Sequence, residues 1–411
     1  MREEVVHRMN GLRNNGSGGA GDAVTSISEL EPELGKPAYR GYDVGTLAER
    51  STYEEVAYLL LYGRLPDAEE FSCFSSGLAK NRELPREVIE MFRRIPPTAH
   101  AMDILRTAVA FLGMVDPEAH DHSREALFRK AVRTIAKLPT AIAASHRTSR
   151  GLAPISPMHQ LSHAQNILYM LSGYGPDEDA VNALDIVLIL YAEGESDVSS
   201  FTARVTASSF TDYHSAVTAA IGSLKGRLHG GANEQALRML LSIGRADRSA
   251  SWIKDCLSQT RGIAGFSHGA HARGDGRMGV MKDLSRTLAG NIDETDWHTL
   301  CEAVEQVMQR EMNLSCTVDF YAASVLHMLG IPAELCTPLF AAGRIAGWSA
   351  HIIEQLDNNS VIAPRFAYQG LRNLEYPTLR RRKRQAGSGG EDGLTPLCSQ
   401  AVQNTTQGKL F

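Results

Sequence analysis

Helix start and stop signals bracket apolar runs of helical spacing along nearly the whole chain, and this punctuation limits the fold more than anything else in it. Ser51 and Thr52 each stand three residues before a glutamate, Glu54 and Glu55, giving two overlapping capping boxes. Val56, Leu59 and Leu60 then share one face, and Gly63 stops the run. Pro176-Asp-Glu-Asp179 opens a second helix, with Val181, Leu184, Val187 and Leu188 on one side and Gly194 after its end. Phe201 to Leu224 reads as one long helix whose Ala, Ser and Thr residues let neighbours approach closely. Asp319 to Leu329 and Pro338 to Leu356 are further helices, the latter with proline in its first turn, where a missing N–H is harmless. No stretch alternates apolar and polar residues between turn signals, so the predicted fold class is all-α. With 411 residues, 43% of them hydrophobic, the chain can bury a large core, and a prior of about 150 residues per domain suggests two or three domains.

Several function classes are disfavoured at once. A net charge of −5 argues against a whole-protein electrostatic footprint for nucleic acid, and no nucleic-acid partner is expected. Apolar runs such as Val187 to Ala192 fall far short of the ~18 residues that span a bilayer, so no membrane association is expected. The start, Met1-Arg-Glu-Glu-Val-Val-His7, lacks the apolar core of a secretory signal. Cys73, Cys256, Cys301, Cys316, Cys336 and Cys398 are scattered without a C-x-x-C pair, which suits a reduced, cytoplasmic chain with no metal site. The Gly-rich segments 16–22 and 387–393 have linker composition, and the basic run Arg380-Arg-Arg-Lys-Arg384 reads as a solvated, disordered stretch. The fingerprints of dinucleotide binding, the P-loop, zinc proteases and the nucleophile elbow are absent.

Three segments remain that could carry chemistry. Lys225-Gly-Arg-Leu-His229-Gly-Gly-Ala-Asn233-Glu234 sets a histidine beside two glycines, which permit close backbone approach to a ligand. Gly265-Phe-Ser-His268-Gly-Ala-His271-Ala-Arg273-Gly-Asp275-Gly-Arg277 gathers histidines with arginines, whose planar forks suit carboxylates. Thr317-Val-Asp319-Phe-Tyr-Ala puts a carboxylate at a predicted helix start among apolar residues. Taken singly, each has a structural alternative: a hydrogen-bonded histidine, a plain loop, or an aspartate that caps its helix. Together they suit acid–base chemistry on an anionic substrate.

With Tyr39-Arg-Gly-Tyr-Asp43, Glu54-Glu-Val-Ala-Tyr-Leu-Leu-Leu61, Phe201-Thr-Ala-Arg204, Thr218-Ala-Ala-Ile-Gly222, Leu228-His-Gly-Gly-Ala-Asn-Glu234, Val318-Asp-Phe-Tyr321, Gly347-Trp348 and Glu354-Gln355 in order, the chain resembles the citrate synthases. The resemblance is to the short bacterial type that includes 2-methylcitrate synthases, and it runs from about Ala38 to Gly370. It implies an all-α, citrate synthase-like fold with a small helical domain, 231–333, inserted into a large one, 27–230 and 334–377, between disordered ends 1–26 and 378–411. The implied reaction joins acetyl- or propionyl-CoA to oxaloacetate or a related anionic 2-oxo acid, giving a citrate-like product and free CoA. Carried over by position, Asp319 removes the α-proton, His229 hydrogen-bonds the thioester carbonyl and His268 polarises or protonates the keto oxygen. Arg277, Arg344 and Arg365 are the acceptor-carboxylate candidates, and Arg273 the candidate for the coenzyme A side. The resemblance further implies a homodimer, with acyl-CoA as co-substrate and no resident cofactor.

Two departures touch the acceptor. Where the family reads His-Glu, this chain has Gly194-Glu195, and the asparagine that follows is Asp197. Where the family reads Arg-Pro-Arg, this chain has Ala363-Pro-Arg365. Smaller changes are Ser267 for Gly, Gly276 for Pro, and Gly269-Ala-His271 for Arg-Val-Tyr. Each lost charge-assisted contact costs on the order of 1.5–3 kcal/mol, so two losses uncompensated weaken acceptor binding by about 10²–10⁴-fold. Arg365, His271 or Arg273 could take over a carboxylate. The alternatives are an acceptor-switched enzyme, such as one forming alkylcitrate or phosphonomethylmalate, or a non-catalytic CoA-binding or regulatory relative.

Overall fold

The computed structural model describes residues 24–31, 36–194, 197–259, 262–267, 276–292, 295–363, 366–376 and 378. The chain divides into two units, Met1–Pro364 and Arg365–Phe411. The described residues of the second unit form no helix or strand. The predicted tail beyond 378 and the basic run 380–384 lie outside the described residues, as do residues 1–23 of the predicted N-terminal arm.

The first unit is helical, with sixteen α-helices among the described residues. Its axis is the helix Ala333–Asp357, of which nearly every side chain is buried, Trp348 completely. Helices Tyr53–Tyr62, Arg124–Ser149, Glu178–Tyr191, Val198–Ser208 and Gly231–Ile243 pack around it. Glycine lets one of these come unusually close. A Cβ on Gly343 would sit 2.9 Å from the Tyr191 Cβ and 3.0 Å from the Leu188 carbonyl oxygen. One turn on, the Gly347 N–H donates to the Ala192 carbonyl at 3.1 Å. The end of helix Glu178–Tyr191 is thereby pinned to the axis, and residues 191–194 are held where the site forms.

The helix signals are read correctly in kind and adjusted in detail. Thr52, not Ser51, caps helix Tyr53–Tyr62 in a full capping box with Glu55. Ser51 instead ends the preceding helix Val44–Arg50. The predicted single helix 201–224 is two, Val198–Ser208 and Tyr213–Leu224. It breaks at Phe210, whose φ is 63°, and restarts at Asp212, whose side chain accepts from the Ser215 N–H at 2.9 Å. Proline 338 lies inside the last helix rather than in its first turn, because that helix already starts at Ala333. Two small sheets escape the periodicity. Ser28–Glu31, Lys36–Tyr39 and Tyr42–Asp43 form an antiparallel ribbon. Phe266–Ser267 pairs antiparallel with Ser315–Cys316. Strands of two to four residues are too short to show clear alternation.

Segments far apart in sequence are tied by one half-buried carboxylate. Glu354 accepts from the Ser26 N–H at 2.8 Å and from Arg204 at 2.6 Å. Burial by itself would raise its carboxyl, but those donors hold it at about 2. An unfolded glutamate titrates near 4.3. The native state therefore binds the proton more weakly, and the Glu354 contribution is complete above about pH 4.3 and lost as pH falls toward 2. Thermal unfolding from pH 6 down to 2 is expected to show a smaller acid loss of Tm in Glu354→Gln than in the parent, from a lower starting value. Parallel curves for the two proteins would refute this.

Candidate functional site

His229 sits in a tight turn between helices Tyr213–Leu224 and Gly231–Ile243, where its N–H donates to the Gly226 carbonyl at 2.9 Å. The ring is largely buried, with Phe340 edge-on at 6.1 Å. Its Nε2 lies 2.9 Å from the Ser199 hydroxyl and 3.5 Å from Asp197 Oδ1. Burial pushes the imidazole below its ordinary pKa, and the Asp319 charge opposes that shift without reversing it. The ring is therefore neutral at pH 7.

Asp319 is the second residue of helix Val318–Met328, whose N-cap is Thr317. It is not the cap, so the capping alternative is set aside. The small sheet explains its position. The Thr317 N–H donates to the Gly265 carbonyl at 2.8 Å, immediately before strand Phe266–Ser267, so the segment leading to His268 runs beside the start of the Asp319 helix. The Tyr191 hydroxyl donates to Asp319 Oδ1 at 3.4 Å and accepts from Asn233 Nδ2 at 3.5 Å. Tyr191 also stacks on Phe340, with ring centroids 4.0 Å apart. Burial first, and the Asp319 charge next, keep the phenol far above its usual pKa, so it serves as a neutral donor. Asn233 is held by Thr337, whose hydroxyl donates to its Oδ1 at 3.1 Å. His229, Asn233, Tyr191 and Asp319 thus line one connected region, drawn from three helices and the turn that leads into one of them.

The cationic side is built on the axis helix. Arg344 is 3% exposed, its Nε donates to the Tyr191 carbonyl at 2.7 Å, and its guanidinium lies 4.7 Å from the Phe340 ring centre. It is ion-paired to Asp197. It also occupies the space in front of Gly194: a Cβ there would lie 2.6 Å from Arg344 Nη2 and 2.9 Å from Cζ. Arg277, in the first turn of helix Gly276–Asn291, donates to the Glu193 carbonyl at 3.2 Å. Glu193 itself is fully buried. Burial acts to raise its carboxyl, but His351, bonded at 3.1 Å, and the Arg344 charge more than offset this and hold it below the ordinary value.

Of the sequence candidates, His229, Asp319, Arg277 and Arg344 are therefore placed around one region. His268, His271, Arg273 and Arg365 lie outside the described residues. Ala363 is exposed beyond the last helix. Sequence reasoning missed Tyr191, Asn233, Ser199, Phe340, Glu193 and His351 as parts of the site. Asn233 stood inside a segment already singled out, and Tyr191 and Glu193 lie just before the departure at Gly194. Ser199 gave no signal, being one serine in a polar helix start. Among the described residues no group of three or more His, Cys, Asp or Glu could hold a metal ion, and no single helix is long and apolar enough to cross a membrane.

Comparison with known proteins fits this picture. A family described as "Citrate synthase, C-terminal domain" matches residues 16–365. Citrate synthase 2 of Bacillus subtilis is 42% identical over 81% of this chain and 90% of its own. 2-Methylcitrate synthase 2 of Corynebacterium glutamicum is 38% identical over 87% of this chain and 95% of its own. The Thermoplasma acidophilum citrate synthase, solved as a ternary complex with carboxymethyl coenzyme A and oxaloacetate, superposes with a TM-score of 0.84 at 25% identity, covering 91% of this chain and 99% of that one. An all-helical fold with these relatives defines an acyltransferase. The chain belongs to the citrate synthase family.

Proposed function

We propose that the protein condenses an acyl-CoA, acetyl- or propionyl-CoA, with oxaloacetate, joining the acyl α-carbon to the keto carbon and hydrolysing the thioester to a citrate-like product and free CoA. The connected set Asp319, Tyr191, Asn233 and His229 carries this reading. A thioester α-proton is weakly acidic, so its removal needs an oriented base together with a donor where enolate charge develops. Asp319 is the base, with the neutral Tyr191 hydroxyl steadying its carboxylate. His229 faces the thioester oxygen, and His268 serves the keto oxygen of the acceptor. Arg277, Arg344 and Arg365 answer the acceptor carboxylates, and Arg273 the coenzyme. No resident cofactor or metal is needed, since acyl-CoA is a co-substrate.

The proposed domain division puts 231–333 as a small domain inserted between 27–230 and 334–377, with His229 at the hinge. Closure of the small domain on the acceptor then brings Asp319 toward the acyl group and excludes water. A homodimer is proposed as the working form. Supporting it, Met114, Val198, Phe201 and Phe210 are exposed on or beside helices Ala101–Val115, Val198–Ser208 and Tyr213–Leu224, which pack against one another. A second copy would cover that apolar surface. The cytoplasm is the proposed location.

The test is thiol release from acetyl- and propionyl-CoA with oxaloacetate, pyruvate, 2-oxoglutarate and phosphonopyruvate. Release with oxaloacetate is expected. No release with any acceptor, from folded protein, would overturn the reading, and release only with another acceptor would transfer it to that 2-oxo acid.

A further inference from the structure

Ser199 settles where the ring proton of His229 lies. Its buried hydroxyl oxygen has three neighbours: Asp197 Oδ1 at 2.7 Å, Trp348 Nε1 at 3.0 Å and His229 Nε2 at 2.9 Å. A hydroxyl has one proton to give and two lone pairs to receive with. The indole N–H can only donate. The Asp197 carboxylate, ion-paired to Arg344, can only accept. The Ser199 proton therefore goes to Asp197, one lone pair takes the Trp348 N–H, and the other is left for His229. His229 must donate there.

We infer that Asp197 is a positioning residue, which through Ser199 fixes the proton of His229 on Nε2 while holding Arg344 across Gly194. Two further contacts keep the carboxylate in place. Asp197 Oδ1 also accepts from the Ser200 N–H at 2.7 Å, as the N-cap of helix Val198–Ser208, and Arg344 pairs with Oδ2. With an uncharged acceptor in its place, or none, the Ser199 proton would be free to turn to His229 Nε2, and the ring proton would move to Nδ1. The carboxylate thus decides which nitrogen of His229 meets a ligand and in what state. With Nε2 engaged, Nδ1 is the nitrogen left for a substrate. In the neutral ring it offers a lone pair. To donate to a thioester oxygen from Nδ1, His229 must become an imidazolium, and Asp197, 3.5 Å away, is its counter-charge. This consequence rests on the proposed role of His229; the proton assignment does not.

The experiment reads the ring nitrogens directly. Free protein labelled with ring-¹⁵N histidine is examined by long-range ¹⁵N–¹H correlation, with His229→Gln identifying the signal. Expected for the parent is a pyrrole-type Nε2 and a pyridine-type Nδ1. In Asp197→Ala the two types exchange places. A pyrrole-type Nδ1 in the parent overturns the inference, and so does an unchanged pattern in Asp197→Ala. If Asp197→Ala fails to fold, the parent spectrum still decides. Because no substrate is present, the result stands apart from the acceptor assays: an inactive protein with the proton on Nε2 refutes the proposed function and leaves the assignment intact.

Discussion

Replacing Asp319 by Asn is expected to lower turnover, measured as CoA release, by about 10²–10⁴-fold, the usual contribution of a positioned general base. The same loss is expected in the exchange of acyl-CoA α-protons for solvent deuterium, which isolates the first chemical step. The substitution is nearly isosteric, and Asp319 is not the cap of its helix, since Thr317 holds that position. Its structural share is then the small attraction of a carboxylate to a helix N-terminus, about 0.3–1 kcal/mol. Tm should therefore move little while activity collapses. Asparagine also keeps an acceptor for the Tyr191 hydroxyl. Exchange at the parent rate in Asp319→Asn would move the base to another residue. A collapse of Tm together with activity would make the residue structural.

Much of this site was legible in sequence because its chemistry lies in short segments with unusual composition. His229 among glycines and Asp319 at a helix start were visible before any geometry, and the structure joins them. What stayed hidden is long-range. The Ser199–Trp348 contact spans 149 residues and Tyr191–Asp319 spans 128, so no local pattern carries either. The break at Phe210 was missed because the Ala, Ser and Thr residues of this stretch read as a close-packing helix face, although Ser208, Ser209 and Thr211 favour turns and Asp212 with Ser215 three positions on was a usable start signal. The departure at Gly194 is instructive in a different way. From sequence it reads as a missing contact and nothing more. In the fold it is a vacancy filled by the Arg344 guanidinium, which turns to Asp197 and the Tyr191 carbonyl. Gly194 and Asp197 are then two parts of one arrangement around the same arginine.

That arrangement makes Arg344→Met the second large expected effect. Removing one member of a buried ion pair leaves the other charge without compensation, at a typical cost of about 3–5 kcal/mol. Here the stranded groups are specific. Asp197 loses its ionic partner, the Tyr191 carbonyl loses a donor at 2.7 Å, and Glu193, fully buried, loses a charge that helps keep it ionised. Methionine keeps most of the apolar stem and gives up only the guanidinium, with its contact 4.7 Å from the Phe340 ring centre, so the loss reports the charged group more than the packing of the stem. Urea unfolding should show the reduced stability. Arg344→Met combined with Asp197→Asn should recover part of it, because the second change removes the stranded carboxylate. A loss below about 1 kcal/mol would mean that water reaches the pair and screens it. The arginine would then be a mobile cation, available to an acceptor carboxylate without first leaving Asp197. A loss in the expected range means the opposite: an acceptor must compete with Asp197 for the guanidinium, and weak acceptor binding follows from the folded structure itself.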